Sequence, residues 1–388
     1  MREIYLDNAA TTRTDREVVE LMNKVMLEDY GNPSSKHLLG LHAEKYIKEA
    51  KERICKVLKC EGSEIVFTSG GTESNNTALI GAAYANKRKG MHIISTRIEH
   101  ASVYNPLFFL EDNGFEVTYI GTDKYGHVDV DALIKAVRSD TILIAVMHVN
   151  NEIGSINDIE RIGKEAKSIN PEVLFFVDAI QSFGKVKIVP KNAMIDMMSV
   201  SGHKIYGPKG SGFLYIKNKT KIKPIIYGGE QQKGMRSGTE NVPAIAGLGL
   251  AVKKMFDSFD ENVNSMYEVK KHFIKRLEEV EGASVNGIPE NSVLETAPHV
   301  LSVSFDKVRS EVLLHALEEK GIYVSSGSAC SSNHPAISGT LKAIGVKKEL
   351  LDSTLRFSFS IYTTKEEIDC VIDELKALLP VLRRFTRR

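Results

Sequence analysis

The chain has no tryptophan, only four cysteines, no excess of either charge and no long apolar run, and each shortage excludes a class of function. Cys55, Cys60, Cys330 and Cys370 form no C-x-x-C pair and show no metal-ligand spacing with histidine. Neither a disulfide framework nor a metal centre is therefore expected. Lys+Arg 51 against Asp+Glu 50 leaves a formal net charge of +1, which gives no electrostatic ground for a nucleic-acid or membrane partner. No stretch reaches the ~18 apolar residues of a spanning helix, and the first eight residues lack a signal-peptide core, so a cytoplasmic protein is expected. Internal repeats and low-complexity tracts are missing as well. The only local bias is the basic stretch 382–388, which reads as a solvated helix end.

What is present suits a folded α/β protein. At 388 residues and 42% hydrophobic content, the chain has room for two domains or one large one. Apolar residues recur at helical spacing over 15–27 and 41–58, separated by the loop Tyr30-Gly31-Asn32-Pro33-Ser34-Ser35. Seven short Ile/Val-rich runs follow, at 64–68, 91–96, 116–120, 141–148, 173–177, 197–201 and 212–216, alternating with helix-like segments. Near-continuous apolar strands between helices predict a mostly parallel seven-stranded sheet flanked by helices. Near residue 260 the pattern changes to a helix over 263–280, a strand near 299–305, a helix over 310–320, strands near 322–324 and 354–358, and a helix from 365. That predicts a smaller α+β domain.

Several stretches carry chemistry, each with a plainer alternative. Ser201-Gly202-His203-Lys204 follows an apolar strand, and a lysine at a strand end beside a histidine and a hydroxyl can form a Schiff base with a carbonyl compound such as pyridoxal phosphate; the alternative is a charged surface turn. Thr68-Ser69-Gly70-Gly71-Thr72-Glu73 runs from a strand into a helix, and its glycines, first amides and Thr72 hydroxyl suit a phosphate, unless Ser69 or Thr72 merely caps the helix. Asp178 ends the run Leu174-Phe175-Phe176-Val177, where a poorly solvated carboxylate wants a cation such as a protonated pyridine nitrogen; alternatively it caps the next helix. Gln181 could donate to the ring hydroxyl. His100 also follows a strand and could stack on a flat ring and move protons, or be a satisfied structural residue. Arg356 breaks a strand alternation and suits a substrate carboxylate, or faces outward. Cys330 lies among small turn-forming residues, Ser325-Ser326-Gly327-Ser328-Ala329-Cys330-Ser331-Ser332-Asn333, a setting that fits a mobile nucleophile. By contrast, Cys55 and Cys370 sit in helical apolar patterns and read as core or boundary residues.

Taken together, Asp7-Asn8-Ala9-Ala10-Thr11-Thr12, Gly31-Asn32-Pro33-Ser34-Ser35 with His37, Gly71-Thr72-Glu73-Ser74-Asn75-Asn76, Val149-Asn150-Asn151-Glu152-Ile153-Gly154, Asp178-Ala179-Ile180-Gln181, Ser201-Gly202-His203-Lys204, Arg236-Ser237-Gly238-Thr239 and the Cys330 segment resemble the NifS/IscS-type cysteine desulfurases over nearly the whole chain. The resemblance implies the fold-type I architecture of class V aminotransferases, with a large cofactor-binding domain at 15–258 and a small domain from 1–14 and 259–388. It implies a homodimer with pyridoxal 5'-phosphate on Lys204. Gly71, Thr72, Ser201, His203 and, from the other subunit, Thr239 would hold the phosphate. Asp178 would face the ring nitrogen, Gln181 the ring hydroxyl, and His100 would stack on the ring. Asn151 and Arg356 would hold the carboxylate of L-cysteine, and Cys330 would take the sulfur as a persulfide and meet iron–sulfur species only in passing. The implied acceptor is a scaffold of the IscU/NifU kind, with tRNA thiolation another outlet. Rival readings are a selenocysteine lyase, an aminotransferase of the same superfamily, or a non-catalytic assembly subunit. Two departures stand out: the family's S-L-G-R reads Ser358-Phe359-Ser360-Ile361, and the usual acidic and aromatic extension is missing after the last helix.

Overall fold

The computed structural model describes residues 3–289, 292–326 and 338–385. A short strand β1 (Ile4–Tyr5) and helices α1 (Arg16–Leu27) and α2 (Leu38–Leu58) come first. Then follow β2 (Ile65–Thr68), α3 (Gly71–Asn86), β3 (His92–Thr96), α4 (Ala101–Asp112), β4 (Glu116–Ile120), α5 (Val130–Lys135), β5 (Thr141–Met147), α6 (Ile159–Ile169), β6 (Leu174–Asp178), β7 (Met197–Ser201), β8 (Gly212–Ile216) and α7 (Val242–Asp257). The remainder is α8 (Phe259–Leu277), β9 (Ala283–Asn286), β10 (Val300–Phe305), α9 (Ser310–Glu318), β11 (Ile322–Tyr323), β12 (Ser325–Ser326), α10 (Gly339–Ala343), α11 (Lys348–Leu351), β13 (Thr354–Ser358) and α12 (Lys365–Phe385).

The seven strands β2 to β8 form one sheet in the order β2-β8-β7-β6-β5-β3-β4. β8 pairs antiparallel with both neighbours while the remaining pairs are parallel, so one strand runs against six. Successive side chains of a strand point to opposite faces, and here both faces are covered. Val177, Met198, Val200, Phe213 and Phe67 pack with residues of α2, α6 and α7. Their neighbours Phe176, Met197, Leu214 and Val66 pack on the other face with Ala78, Leu79, Val103 and Leu107 of α3 and α4. Burial on both sides is the reason these strands read as unbroken apolar runs.

A separate apolar cluster joins Ile4 and Leu6 to Phe273, Leu301, Val303, Leu313, Ile322, Leu355, Phe357 and Ile372. It fills the space between α8, α9 and α12 and the four-stranded sheet β12-β13-β10-β9. The first residues enter it because β1 pairs in parallel with β11, Ile4 opposite Ile322.

Some expectations shift. α8 begins at Phe259 rather than 263, because its first turn carries Asp260 and Glu261, acids that favour a helix N-terminus but leave no apolar stripe. Cys370 is exposed on α12 rather than part of its packed face. The basic end of α12 is not wholly solvated, since Arg383 donates to the carbonyls of Asp306 at 3.1 Å and Glu281 at 2.6 Å. Among the described residues no helix is long and apolar enough to cross a membrane.

α8 also carries Lys270, fully enclosed, donating to Thr296 Oγ1 at 2.6 Å and to the Ala297 carbonyl at 2.8 Å. Burial without a carboxylate partner holds its pKa down to about 7. An unfolded lysine titrates near ~10.4, so the unfolded chain binds the extra proton between these values and stability climbs with pH across that window. Denaturant unfolding at about pH 7 and about pH 9.5 should show a smaller climb in Lys270→Met than in the native protein; equal climbs would show that Lys270 contributes nothing.

Candidate active site

The parallel strands β2, β3, β5, β6 and β7 bring their carboxyl ends to one edge of the sheet, the edge at which open α/β sheets bind ligands. The turns after them enclose a cavity of about 250 Å³. Gly71, Thr72, His100, Asn151, Asp178, Gln181, Ser201, His203, Lys204 and Arg356 all line it. Thr239 does not; it lies with Arg236 at a second hollow of about 190 Å³. Cys330 lies outside the described residues.

Lys204 ends a short helical turn, Gly202–Lys204, directly after β7. Its Nζ donates to the carbonyls of Ala9 at 2.6 Å and Ala10 at 2.7 Å. These carbonyls belong to a strap, residues 7–12, laid across the cavity. Its far end is tied down where Thr12 Oγ1 donates to the His203 carbonyl at 2.9 Å and accepts from the Tyr206 N–H at 2.8 Å. Behind Lys204 lies a second buried lysine: Lys185 Nζ donates to the Lys204 carbonyl at 2.5 Å. Burial first, and the Lys204 charge second, hold the Lys185 pKa down to about 7. His203 meets Thr11 Oγ1 at 3.2 Å, and burial followed by the charges of Lys204, Lys209 and Lys185 lowers it to about 4. It is thus a neutral ring at physiological pH.

Asp178 closes β6. Its Oδ2 accepts from Asn75 Nδ2 at 2.9 Å and its Oδ1 from the Ile180 N–H at 3.0 Å. Burial raises its pKa, while the Ile180 N–H, the His100 charge and the Asn75 amide oppose the rise. A buried carboxylate met by amides rather than by a cation has room for a positive group in front of it. His100 is the N-cap of α4, where its Nδ1 accepts from the Ser102 N–H at 3.1 Å. Gln181 donates from Nε2 to the Ala9 carbonyl and accepts from His299 Nε2, both at 3.0 Å.

α3 starts at Gly70, whose φ of 146° only glycine adopts readily, and no side chain caps it. Neither Ser69 nor Thr72 is the cap, so the first turn of the helix is left for an anion. Arg356, in the middle of β13, is buried. It donates from Nη1 to the Asn151 carbonyl and from Nη2 to Asp7 Oδ1, both at 2.9 Å, while Nε has no partner. At 358–361 the shared Ser358 accepts at Oγ from the Ala9 N–H at 2.8 Å, and the departing Phe359 packs edge-on to Phe273, their ring centres 5.9 Å apart.

The set fits pyridoxal phosphate. An uncapped helix start and the Ser201 and His203 side chains suit its phosphate, Asp178 its ring nitrogen and Lys204 its carbonyl. Sequence reasoning missed Asn75, Ser102, Lys185 and His299. Asn75, Lys185 and His299 touch site residues only through the tertiary fold, and Ser102, which meets His100 locally, reads as an ordinary residue of a helix start.

The family model for aminotransferase class-V matches residues 4–371. A cysteine desulfurase IscS of Dictyoglomus turgidum is 43% identical over 99% of this chain and 96% of its own length. A cysteine desulfurase IscS of Methanosarcina thermophila is 41% identical over 99% of this chain and 94% of its own. Among solved structures, a NifS-like protein superposes with a TM-score of 0.92 at 36% identity, covering 98% of this chain and 100% of its own. A protein described as SspA in complex with cysteine does so at 0.82 with 35% identity, covering 93% and 100%.

Gly70→Ala is expected to cost about 1–3 kcal/mol from the backbone conformation alone. It should also loosen cofactor retention, read by the loss of visible absorbance on gel filtration. Unchanged stability together with full retention would show that the φ of Gly70 is not a constraint.

Proposed function

The chain belongs to the class-V aminotransferase family and is a pyridoxal-phosphate-dependent cysteine desulfurase, acting on L-cysteine and passing its sulfur to an acceptor; on that premise we propose how its residues divide the work. The observation that carries the reading is the meeting of Lys204, Asp178, His100 and Arg356 around one cavity. Lys204 holds the cofactor covalently. Gly71, Thr72, Ser201 and His203 hold its phosphate, joined by Thr239 of the partner subunit, which accounts for the position of Thr239 away from its own cavity. Asp178 faces the ring nitrogen, Gln181 the ring hydroxyl through the amide proton not given to Ala9, and His100 covers the ring face.

When bound, pyridoxal phosphate supplies an electron sink for the pair left at the substrate Cα as its proton departs. Arg356 and Asn151 orient the substrate carboxylate, with the unpartnered Arg356 Nε among the donors. Lys204, once released from the cofactor, holds the Cα proton, and its two carbonyl partners fix where that amine stands. The Cys330 thiolate attacks the substrate sulfur. The S–S bond forms as the Cβ–S bond breaks, the bonding pair stays on Cβ and takes up a proton, and return of the Cα proton from Lys204 completes L-alanine. Both described flanks of the Cys330 segment lie at the substrate-holding residues. Ser325 of β12 pairs with Arg356. Ser338 donates to Glu152 Oε2 at 2.5 Å, one residue beyond Asn151.

The persulfide then serves an iron–sulfur scaffold of the IscU/NifU kind in the cytoplasm, tRNA thiolation being another outlet. A homodimer is supported by Met26, Leu27, Tyr30, Leu38 and Tyr227, which expose large apolar side chains, and by the displaced Thr239. The purified protein should be yellow and form equal amounts of L-alanine and sulfur from L-cysteine. Lys204→Ala should lose the bound colour. Cys330→Ala should keep the colour and lose sulfur transfer; undiminished sulfur release in that variant would rule out the persulfide.

A further inference from the structure

Between the carboxylate and the histidine of the cavity runs a buried hydrogen-bond chain made by two residues with no part in the roles above. Asn75 Nδ2 donates to Asp178 Oδ2 at 2.9 Å and to Ser102 Oγ at 2.8 Å. Ser102 Oγ lies 2.8 Å from His100 Nδ1. Asn75, Ser102 and Asp178 are all buried. We infer that Asn75 and Ser102 are positioning residues that carry the charge of Asp178 into the choice of His100 tautomer.

The direction of every bond follows from the first. A carboxylate oxygen accepts only, so the Asn75 amide must turn its NH2 towards Asp178. The same NH2 then points its second proton at Ser102 Oγ. With one lone pair so occupied, the serine directs its own proton to His100 Nδ1, which the Ser102 main-chain N–H also addresses at 3.1 Å. A nitrogen faced by two donors is the bare one, so the ring proton sits on Nε2. His100 therefore meets the reaction with its N–H on the nitrogen turned away from Ser102. The arrangement has a visible cost. Asn75 Oδ1 is buried and has no partner, an expense that a flipped amide could avoid only by setting that oxygen against the Asp178 carboxylate.

Replacement of Asn75 by aspartate inverts the chain. Two adjacent carboxyls share one proton between them, which leaves an oxygen of the introduced carboxyl group to accept from the Ser102 hydroxyl. The serine lone pair, 2.8 Å from Nδ1, then outweighs the longer 3.1 Å contact of the Ser102 main-chain N–H and favours a proton on Nδ1. The holoenzyme with 15N-labelled histidine, with the His100 signals assigned by their loss in His100→Gln, is expected to show a bare Nδ1 in the native protein and in Ser102→Thr. In Asn75→Asp, Nδ1 should gain the proton. Ser102→Ala should lower kcat about tenfold with KM for L-cysteine held within about twofold, and Ser102→Thr should restore it. A ring still protonated only on Nε2 in Asn75→Asp, or a native kcat in Ser102→Ala, overturns the inference. The kinetic arm rests on the function proposed above, whereas the ring signal reports on the chain of bonds whatever the substrate, so the two failures are distinguishable.

Discussion

Two main-chain carbonyls, those of Ala9 and Ala10, hold the amine on which the site depends. A lysine in a cavity is useful only if its amine is both unburdened by a carboxylate and fixed in space. Carbonyl oxygens meet both demands, since they accept hydrogen bonds without adding a full charge. The strap that presents them is pinned at each end: the Ala9 N–H by Ser358 of β13, and Thr12 by the turn that carries Lys204. Gln181 adds a second bond to the same Ala9 oxygen. The strap therefore joins the seven-stranded sheet to the four-stranded one at the point where the chemistry takes place.

Charge is distributed on the same plan. Groups that line the cavity keep partners suited to a ligand, while basic groups behind it hold their protons less tightly because of burial. Lys185 and His299 lie immediately behind Lys204 and Gln181, and both have pKa values lowered chiefly by burial. Asp178 is shifted the other way and takes its hydrogen bonds from amides. The interior next to the cofactor is thus polar without being strongly ionic, so a positive ring nitrogen or a negative phosphate arriving there meets little competing charge.

Much of this was legible in the chain itself, for physical reasons that also mark the limit. β4, β7, β8 and β13 begin and end as expected: β7, β8 and β13 are buried throughout, and the edge strand β4 carries the Val, Thr, Tyr and Ile that favour strands. β1 and β12 are two residues each and have no period to detect. α7 buries residues around most of its circumference, so it lacks a one-sided stripe. In the site, residues at the ends of strands were identifiable because a polar group after an apolar run is conspicuous. Asn75 and Ser102 sit inside the opening turns of helices, where an amide or hydroxyl looks like surface, and only the packing of α3 against α4 and β6 joins them to each other and to Asp178.

The strap also sets when the site can exist. Ala9 precedes nearly all the residues of both sheets, yet its N–H is bonded to a serine 349 positions later and its carbonyl to a lysine 195 positions later. Contacts between residues so far apart in sequence form only after the intervening chain has been made and folded. Synthesis of the large sheet alone supplies the Ala9 and Ala10 carbonyls but not the Ser358 hydroxyl that pins the strap, nor Arg356. The substrate side of the cavity is thus finished last: a chain that stops after the large sheet holds the lysine and its carbonyls, but the strand that pins the strap and carries Arg356 comes only at β13.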